Sequence, residues 1–362
     1  MTAVSRATFN NKDSFFFEAL KQRIDDYFAN NKIKQSGNYK LYSKAVILVT
    51  SLVFFYVTLV FFTPTNIYLS LLLCALMGVN FAAIGFNIMH DGAHGSFSTK
   101  PWVNDMMSHS LEMMGGSSFM WKVKHNMNHH TFTNIEGMDD DIDIKPFIRV
   151  SEDQPKKWYH RFQHVYSFLL YALTYFFWIF WLDFKKYFSG KIGELKIKKM
   201  STKDHVIFWV SKVLYIMLFL GIPIFKVGLV ETLVGYGVVL VVTGLIISVV
   251  FQLAHVVEGA IFMSGKNGEK SLKVDTEWAV HQLNTTANFA TKNKFVSWFV
   301  GGLNFQVEHH LFPKISHIHY PEINKLVMET CRQFNVNYME FPTVLSAVKS
   351  HVLHLKHVGI AA

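Results

Sequence analysis

The sequence predicts an all-α integral membrane protein, with four transmembrane helices and a cytosolic helical cap that holds a histidine-rich site for two metal ions. Three observations predict this class: long apolar stretches, an uneven distribution of lysine and arginine, and clusters among the 18 histidines. Of the 362 residues, 51% are hydrophobic and 17% are charged, whereas soluble domains carry about 25% charged residues. This composition excludes a disordered chain, and two cysteines are too few for a disulfide scaffold.

Four apolar stretches are long enough to cross a bilayer, which requires about 20 residues. They lie near residues 45–62, 67–89, 206–225 and 232–257. A fifth stretch, 167–184, is rich in Trp, Tyr and Phe, and we interpret it as a helix that lies in the membrane interface. The sequence thus divides into a cytosolic segment, 1–44, a membrane domain, 45–330, and a cytosolic tail, 331–362. We expect no cleavable signal peptide, because the first 44 residues are polar.

The basic residues support four crossings. Eight Lys and Arg precede the first span, 15 lie between the second and third spans, and ten follow the fourth, whereas the two short connections carry only Lys226. Loops rich in Lys and Arg remain in the cytosol. We therefore expect both termini and the long middle segment to face the cytosol.

Histidines cluster in three short motifs and at one further position. Two histidines four residues apart on a helix lie on one face, so each such pair can hold a metal with two nitrogens. The number of these histidines exceeds the ligands that one ion needs and suits two ions. The candidate ligands are His90 and His94 in HDGAH, His125, His129 and His130 in HNMNHH, Gln306, His309 and His310 in QVEHH, and the single His255.

The spacing along the spans places two of these groups at one depth. His90 follows Asn66 by 24 residues, and His255 follows Glu231 by 24 residues. Both therefore lie roughly 36 Å along helices that begin at the outer surface, which exceeds a hydrocarbon thickness of about 30 Å. The two should emerge together just inside the cytosolic face, where the other motifs can meet them.

Seven further histidines have a structural interpretation. His109, His281, His317 and His319 have no partner at ligand spacing, so we expect them to support the site or the fold. Three residues at a spacing of three in the tail, His351, His354 and His357, are expected on a solvated helix face.

At these motifs the chain resembles the membrane fatty acid desaturases. HDGAH, HNMNHHTFTN and QVEHHLFP are similar to the three histidine boxes of that family, in order and in spacing, over about residues 40–330. The Gln in place of His in the third box is typical of the front-end type, such as the linoleoyl-CoA or delta-6 desaturases. The segment GMDDDID resembles the one that follows the second box in the family.

The resemblance implies a fold of four transmembrane helices with a cytosolic cap around a di-iron centre. It implies that iron binds the seven histidines of the three boxes, His255 as an extra ligand, and either Gln306 or a water on it. We expect carboxylates to orient the ligand rings, and the candidates are Asp91, Glu308, Asp139 and Asp143.

The resemblance also implies dioxygen as co-substrate and a fatty acyl substrate carried by CoA or by a lipid. Front-end members often carry a fused cytochrome b5 domain with an HPGG motif, which is not found in this sequence. Electrons would then come from a separate ferredoxin or cytochrome b5 and its reductase. The basic cytosolic surface suits an acidic redox protein or anionic lipid. No nucleic-acid partner is expected.

Two other functions use similar residues. A related di-iron hydroxylase or monooxygenase of lipids would have the same boxes, and only its product would differ. A metal transporter would place its ligands near the centre of the bilayer, whereas the spacing above places these histidines beyond the membrane edge. The sequence therefore favours the desaturase.

Overall fold

The computed structural model describes residues 6–12, 14–142, 144–193, 195–197, 199–265 and 271–361. One predicted carboxylate, Asp143, lies outside the described residues. Within them the chain is mostly helical. In chain order the helices are α1 Phe15–Asn31, α2 Tyr39–Phe61, α3 Ile67–His94, α4 Pro101–Ser108, α5 Ser110–Met113, α6 118–132, α7 Trp158–Ser189, α8 Thr202–Val227, α9 Leu229–His255, α10 Trp278–Thr285, α11 Lys294–Phe299, α12 Gln306–Leu311, α13 Tyr320–Gln333 and α14 Val344–Ile360.

The strands that the structure describes are short and form three two-stranded pairs. β1 pairs in parallel with β4, β2 is antiparallel to β3, and β5 pairs in parallel with β6. These pairs connect segments outside the apolar helices and form no extended sheet. The strands are β1 Arg6–Phe9, β2 Lys191–Ile192, β3 Leu195–Lys196, β4 Ser271–Val274, β5 Asn288–Phe289 and β6 Glu340–Phe341.

Five described helices are long and apolar enough to cross a membrane: α2, α3, α7, α8 and α9. Four of them coincide with the predicted spans, although α2 ends one residue and α9 two residues before the predicted span does, and α7 contains the aromatic stretch predicted for the interface. The side chain of Asn66 starts α3 by accepting hydrogen bonds from the backbone N–H groups of Tyr68 and Leu69, which satisfies donors that a helix start leaves free. At its other end α3 continues to His94, five residues beyond the predicted end of that span.

Helix α9 packs between α3 and α7, and small residues allow the close approach. Thr243 Oγ1 donates to the Gly78 carbonyl at 3.1 Å. The next residue of α9, Gly244, lies against the backbone of α7. A Cβ atom at this position would be only 2.7 Å from the Ala172 carbonyl oxygen. In a membrane, where packing must supply much of the helix association, such small residues permit close contact.

The N-terminal helix and the C-terminal part of the chain form a separate core cluster. In α1 the apolar residues Phe16, Leu20, Ile24 and Phe28 repeat every four residues and are buried. They belong to one buried cluster with Ile323 and Val327 of α13 and with residues of α12. Because the third histidine motif is on α12, this cluster fixes its position from the side remote from the apolar helices.

The C-terminal helix α14 packs on α7, so one expectation for the tail is wrong. His351 is 1% exposed; its Nε2 lies 3.0 Å from the Tyr171 hydroxyl, and its Nδ1 donates to the Val256 carbonyl. His354 is half-buried and bonds to the Val150 carbonyl. The spacing predicted that all three tail histidines would be exposed, and among them His357 is the exposed one.

We expect Gly244→Ala to lower the free energy of unfolding by about 1–3 kcal/mol, the usual cost of an overpacked contact. The added methyl group would meet the Tyr171 carbonyl oxygen at 2.9 Å as well as that of Ala172. The matched control is Gly237→Ala on the same helix, where a Cβ meets no heavy atom of the described chain within 4 Å. Denaturation of both purified variants in detergent measures the difference, and equal stability would contradict this packing.

Candidate metal centre

The first two histidine motifs are on helices that widen locally. Residues Gly85–Met89 form a π-helical turn before His90, and Lys122–His129 form a longer one through the second motif. A π turn adds one residue to a helical turn and changes which side chains share a face, and such turns are frequent at functional sites. The α-helical spacing assumed for HNMNHH is therefore wrong in detail, although its histidines still converge.

The structure gathers the predicted ligands into two adjoining groups. In each group one nitrogen per imidazole lies within 4.8 Å of the others, and all of the rings are buried. Each group contains histidines from three chain segments, and helices α6 and α12 contribute to both groups. The groups are His90, His94, His125 and His309, and then His129, His255 and His310.

His130 lies between the two groups. The centre of its ring is 4.5 Å from that of His309 and 4.4 Å from that of His310, so it faces both. Gln306 is at the second group, where its Nε2 lies 3.1 Å from His255 Nε2 and 3.3 Å from His310 Nε2. All nine residues predicted as ligands from the sequence are therefore in one place.

Several buried nitrogens at this centre are free to bind a metal. The Nε2 atoms of His90, His94, His129 and His309 are buried and have no hydrogen-bond partner among the described residues. A buried polar atom without a partner costs about 1–3 kcal/mol, and a convergent set of them needs an explanation. Metal coordination by neutral imidazole satisfies all four, so the residues fit a histidine-ligated metal centre.

The opposite ring nitrogens are held by protein groups. His129 Nδ1 donates to Asp139 Oδ2 and His125 Nδ1 to Asp141 Oδ2, both at 2.9 Å. Lys124 forms an ion pair with Asp141. Carboxylates placed in this way fix the tautomer of the ring and turn Nε2 toward a metal.

Uncharged partners orient three further rings. His310 Nδ1 donates to Gln282 Oε1 at 2.8 Å, and His309 Nδ1 lies 3.1 Å from the Tyr320 hydroxyl. His255 Nδ1 donates to the Thr285 carbonyl at 3.3 Å. Residues of α10 and α13 therefore orient rings in both groups, in addition to the helices that carry the histidines.

Burial keeps most of these rings uncharged. It lowers the pKa of His130 well below its usual range, and the neighbouring His94 and His129 lower it further. Burial has the same effect on the pKa of His310. For His129, burial is the largest influence and lowers the pKa, but the charge and hydrogen bond of Asp139, together with the charge of Asp141, outweigh it, and the pKa is raised. Neutral imidazole is the form that binds a metal ion.

Two of the predicted carboxylates have other partners. Asp91 accepts from His317 Nδ1 at 3.0 Å and from Ser316 Oγ at 2.7 Å. Glu308 accepts from Asn288 Nδ2 at 2.7 Å, and burial raises its pKa to about 7. Each therefore ties chain segments together beside the ligands without touching a ligand ring.

A buried lysine connects the first apolar helix to this network. Lys44 Nζ donates to Asn87 Oδ1 at 2.7 Å and to the Trp298 carbonyl at 3.0 Å, and it lies 3.0 Å from His317 Nε2. Both ring nitrogens of His317 are thus occupied, which makes His317 a structural residue and not a candidate ligand.

Sequence reasoning missed Gln282, Thr285 and Tyr320 as ring partners, because each lies far along the chain from the ring that it holds and belongs to no motif. Asp141 belongs to the acidic run after the second motif, in which the sequence predicts carboxylates that orient the rings. His281, expected to support the fold, bonds the Thr133 carbonyl at 2.9 Å through Nε2.

Comparison with known proteins places this arrangement among enzymes of lipid metabolism. Residues 66–342 match the family model described as fatty acid desaturase. The chain is 36% identical over 363 residues to the sn-1 linoleoyl-lipid 6-desaturase of Synechocystis sp., covering 100% of both chains. It is 36% identical over 361 residues to the protein of the same name from Arthrospira platensis, covering 99% of this chain and 96% of that one. It is 37% identical over 349 residues to the acyl-lipid (8-3)-desaturase of Physcomitrium patens, covering 95% and 72%.

We expect Asp139→Asn to weaken metal retention by about 10- to 100-fold, the usual effect of removing a group that orients a ligand. The amide keeps the size of the side chain but removes the charge that faces His129. The control is Asp25→Asn, on the exposed face of α1. Metal analysis after dialysis against a graded chelator series measures retention, and equal retention in the two variants would refute the role of Asp139.

We expect Lys44→Met to lower the free energy of unfolding by about 3 kcal/mol, because it leaves Asp91 and Asn87 without their buried cationic neighbour. Lys40→Met is the matched control, since Lys40 is exposed one turn earlier on α2. Chemical denaturation of both variants compares them. If the two are equally stable, the network does not depend on Lys44.

Proposed function

The chain belongs to the fatty acid desaturase family, and we propose that it inserts a cis double bond between an existing double bond and the carboxyl end of a lipid-bound acyl chain. Membership of this family makes the chain an oxidoreductase that acts on fatty acids. The position of the new double bond and the lipid that carries the acyl chain are what we propose. Two relatives that match nearly the whole chain are named linoleoyl-lipid 6-desaturases. The Gln of QVEHH supports the same front-end type.

The observation that carries the proposal is the pair of buried histidine groups at the shared end of α3 and α9. We propose that they hold two iron ions through His90, His94, His125, His129, His130, His255, His309 and His310. Gln306 is adjacent to the second group and is the ninth candidate. Asp139 and Asp141 orient their rings, whereas Asp91 and Glu308 support the surrounding segments.

A methylene C–H bond is too strong for removal by an acid or a base at neutral pH. Two bound irons would supply the missing chemistry, the oxidation of that bond by dioxygen. The residues of this chain keep most of the rings neutral, aim their free nitrogens to one place and exclude water. Reducing equivalents would come from a separate cytochrome b5 or ferredoxin with its reductase, which the basic cytosolic surface suits.

The contacts support four membrane crossings, with α7 at the interface. Helices α3 and α9 end together at the histidine groups. The connection at Gly228 makes α8 antiparallel to α9, and the Tyr215 and Tyr236 hydroxyls lie 2.7 Å apart across them. Helix α8 therefore begins on the histidine side. The Lys44–Asn87 contact likewise places the start of α2 on that side.

Both ends of α7 also lie on the histidine side. At its start, the backbone of His160 lies against Gly359 of α14, and His351 of that same helix bonds the carbonyl of Val256, just after α9. At its end, the Tyr187 hydroxyl is 2.8 Å from His205 Nδ1 at the start of α8. A helix that starts and ends on one side completes no crossing. This arrangement supports the proposed cytosolic cap, the membrane domain 45–330 and cytosolic segments on either side of it.

The test is expression in a host that makes linoleate, with analysis of its lipids by gas chromatography and mass spectrometry. We expect a triene with a new cis double bond at carbon 6. A hydroxylated product would instead identify the alternative, a di-iron hydroxylase. A normal lipid profile, with iron loaded and a donor present, would refute the proposed activity.

Single substitutions locate the chemistry. We expect His129→Ala and His309→Ala to reduce the new product below detection while the protein still inserts at normal amounts, because neither residue is in an apolar span. His357→Ala is the control, since His357 is exposed and pairs only with Glu152 among the described residues. Immunoblots of the membrane fraction accompany the lipid analysis. Normal activity in either of the first two variants would show that the substituted histidine is not needed for the reaction.

A further inference from the structure

A cleft of about 720 Å³ opens beside the metal centre. It lies between the segment before α2, the segment around the end of α3 and the start of α4, and the residue that follows the third motif. His94 lines it, so the cleft reaches the first histidine group. The polar residues that line it include Ser98, Asn104, one carboxylate, Asp105, and three lysines, Lys34, Lys122 and Lys314.

The lysines give the cleft an excess of positive charge. Lys34 and Lys314 are exposed and form no ion pair within the described ranges of the chain. Lys122 is 3.3 Å from Asp105, whose side chain is 69% exposed, and an exposed pair of this kind is weak. Three ammonium groups from three distant segments therefore surround one opening, which suits a phosphate group.

The flanking side chains place this opening at the level of the lipid headgroups. Tyr39, at the start of α2, is 73% exposed, and on α4 Trp102 is 63% and Met106 is 52% exposed. Tyr and Trp are enriched at the boundary between membrane and water. A lipid in the adjoining leaflet can therefore present its headgroup to the lysines without leaving the bilayer.

The position of the cleft beside the metal centre also suits a front-end reaction. An extended acyl chain gains roughly 1.3 Å per carbon, given a C–C bond of about 1.5 Å. If carbon 6 is to react, the ester must stay within roughly 8 Å of the metals on the same scale. A front-end enzyme thus needs its headgroup site next to the histidines, and His94 is part of this cleft.

We propose that the cleft bounded by Lys34, Lys122 and Lys314 binds the phosphate of a phospholipid substrate and so fixes the distance from the carboxyl end at which the chain is oxidised. This inference rests on the proposed function. An acidic redox protein would also be attracted by the lysines. However, about 720 Å³ is the size of a small-molecule site, whereas a protein partner needs about 800 Å² of surface.

The test compares two substrates in micelles of an uncharged sugar detergent, with the full-length protein and a ferredoxin system. Dilinoleoyl phosphatidylglycerol carries the phosphate, and dilinoleoyl galactosylglycerol lacks it. For Lys34→Gln/Lys314→Gln we expect the KM of the phospholipid to rise about fivefold, since each exposed pairing contributes a small factor. The KM of the galactolipid and that of ferredoxin should not change. Lys349→Gln/Lys356→Gln, exposed on α14, is the control of equal charge.

A second measurement does not depend on turnover. Native mass spectrometry without donor or oxygen counts the phospholipid retained per protein chain across a series of lipid concentrations. We expect the double Gln variant to need about fivefold more phospholipid for the same retention, whereas Lys34→Arg/Lys314→Arg retains it like the wild type. Three results would each overturn the phosphate site: unchanged retention, an equal rise in the KM of both lipids, or a rise in the KM of ferredoxin alone. The last result would instead identify a binding site for the electron donor. If the wild-type protein desaturates neither lipid, the proposed function fails, and retention still decides the cleft.

Discussion

The whole molecule depends on holding buried, uncharged imidazole rings from four distant chain segments within a few ångströms of one another. Bringing their nitrogens together out of water is unfavourable unless a metal ion binds them. The fold meets the geometric part of this requirement with two parallel apolar helices, α3 and α9, which end at the same level. Helices α6 and α12 bring the other histidines to those ends, and residues of α10 and α13 and the aspartates after α6 hold the far nitrogen of several rings.

Buried cations join the membrane helices to the cap. Lys44 connects the start of α2 to Asn87 on α3 and to His317 beside the third motif. Lys212 of α8 donates to Asp183 of α7 at 2.9 Å and to the Gly115 carbonyl at 2.6 Å. A buried ion pair adds little net stability compared with apolar packing. Removing one partner would leave the other buried and unpaired, so each contact holds its helices in the alignment that pairs them.

The proposed reaction places different structural requirements on the metal centre and on the lipid site. The metal centre needs rigid, fully buried ligands, because ring orientation controls the metal. The lipid must enter from the bilayer, so its site has to open at the headgroup level and still reach the centre. The cleft at His94 meets both needs, since one of its walls is the end of α3 and another is the segment that leads into α2. A short distance between the two sites is what a reaction near the carboxyl end requires.

The sequence by itself determined the membrane class, the four apolar stretches, the histidine motifs and the nine residues that meet at the centre, because these depend on composition and on spacing within one segment. It could not show the π turn before the first motif and the one through the second, the partners of several rings, the burial of His351 or the cleft. The reason is that Gln282, Thr285 and Tyr320 meet their rings through packing between segments, which are up to 30 residues apart in the chain for Thr285 and His255. Spacing specifies neighbours on one helix, whereas only the folded chain decides which helices touch.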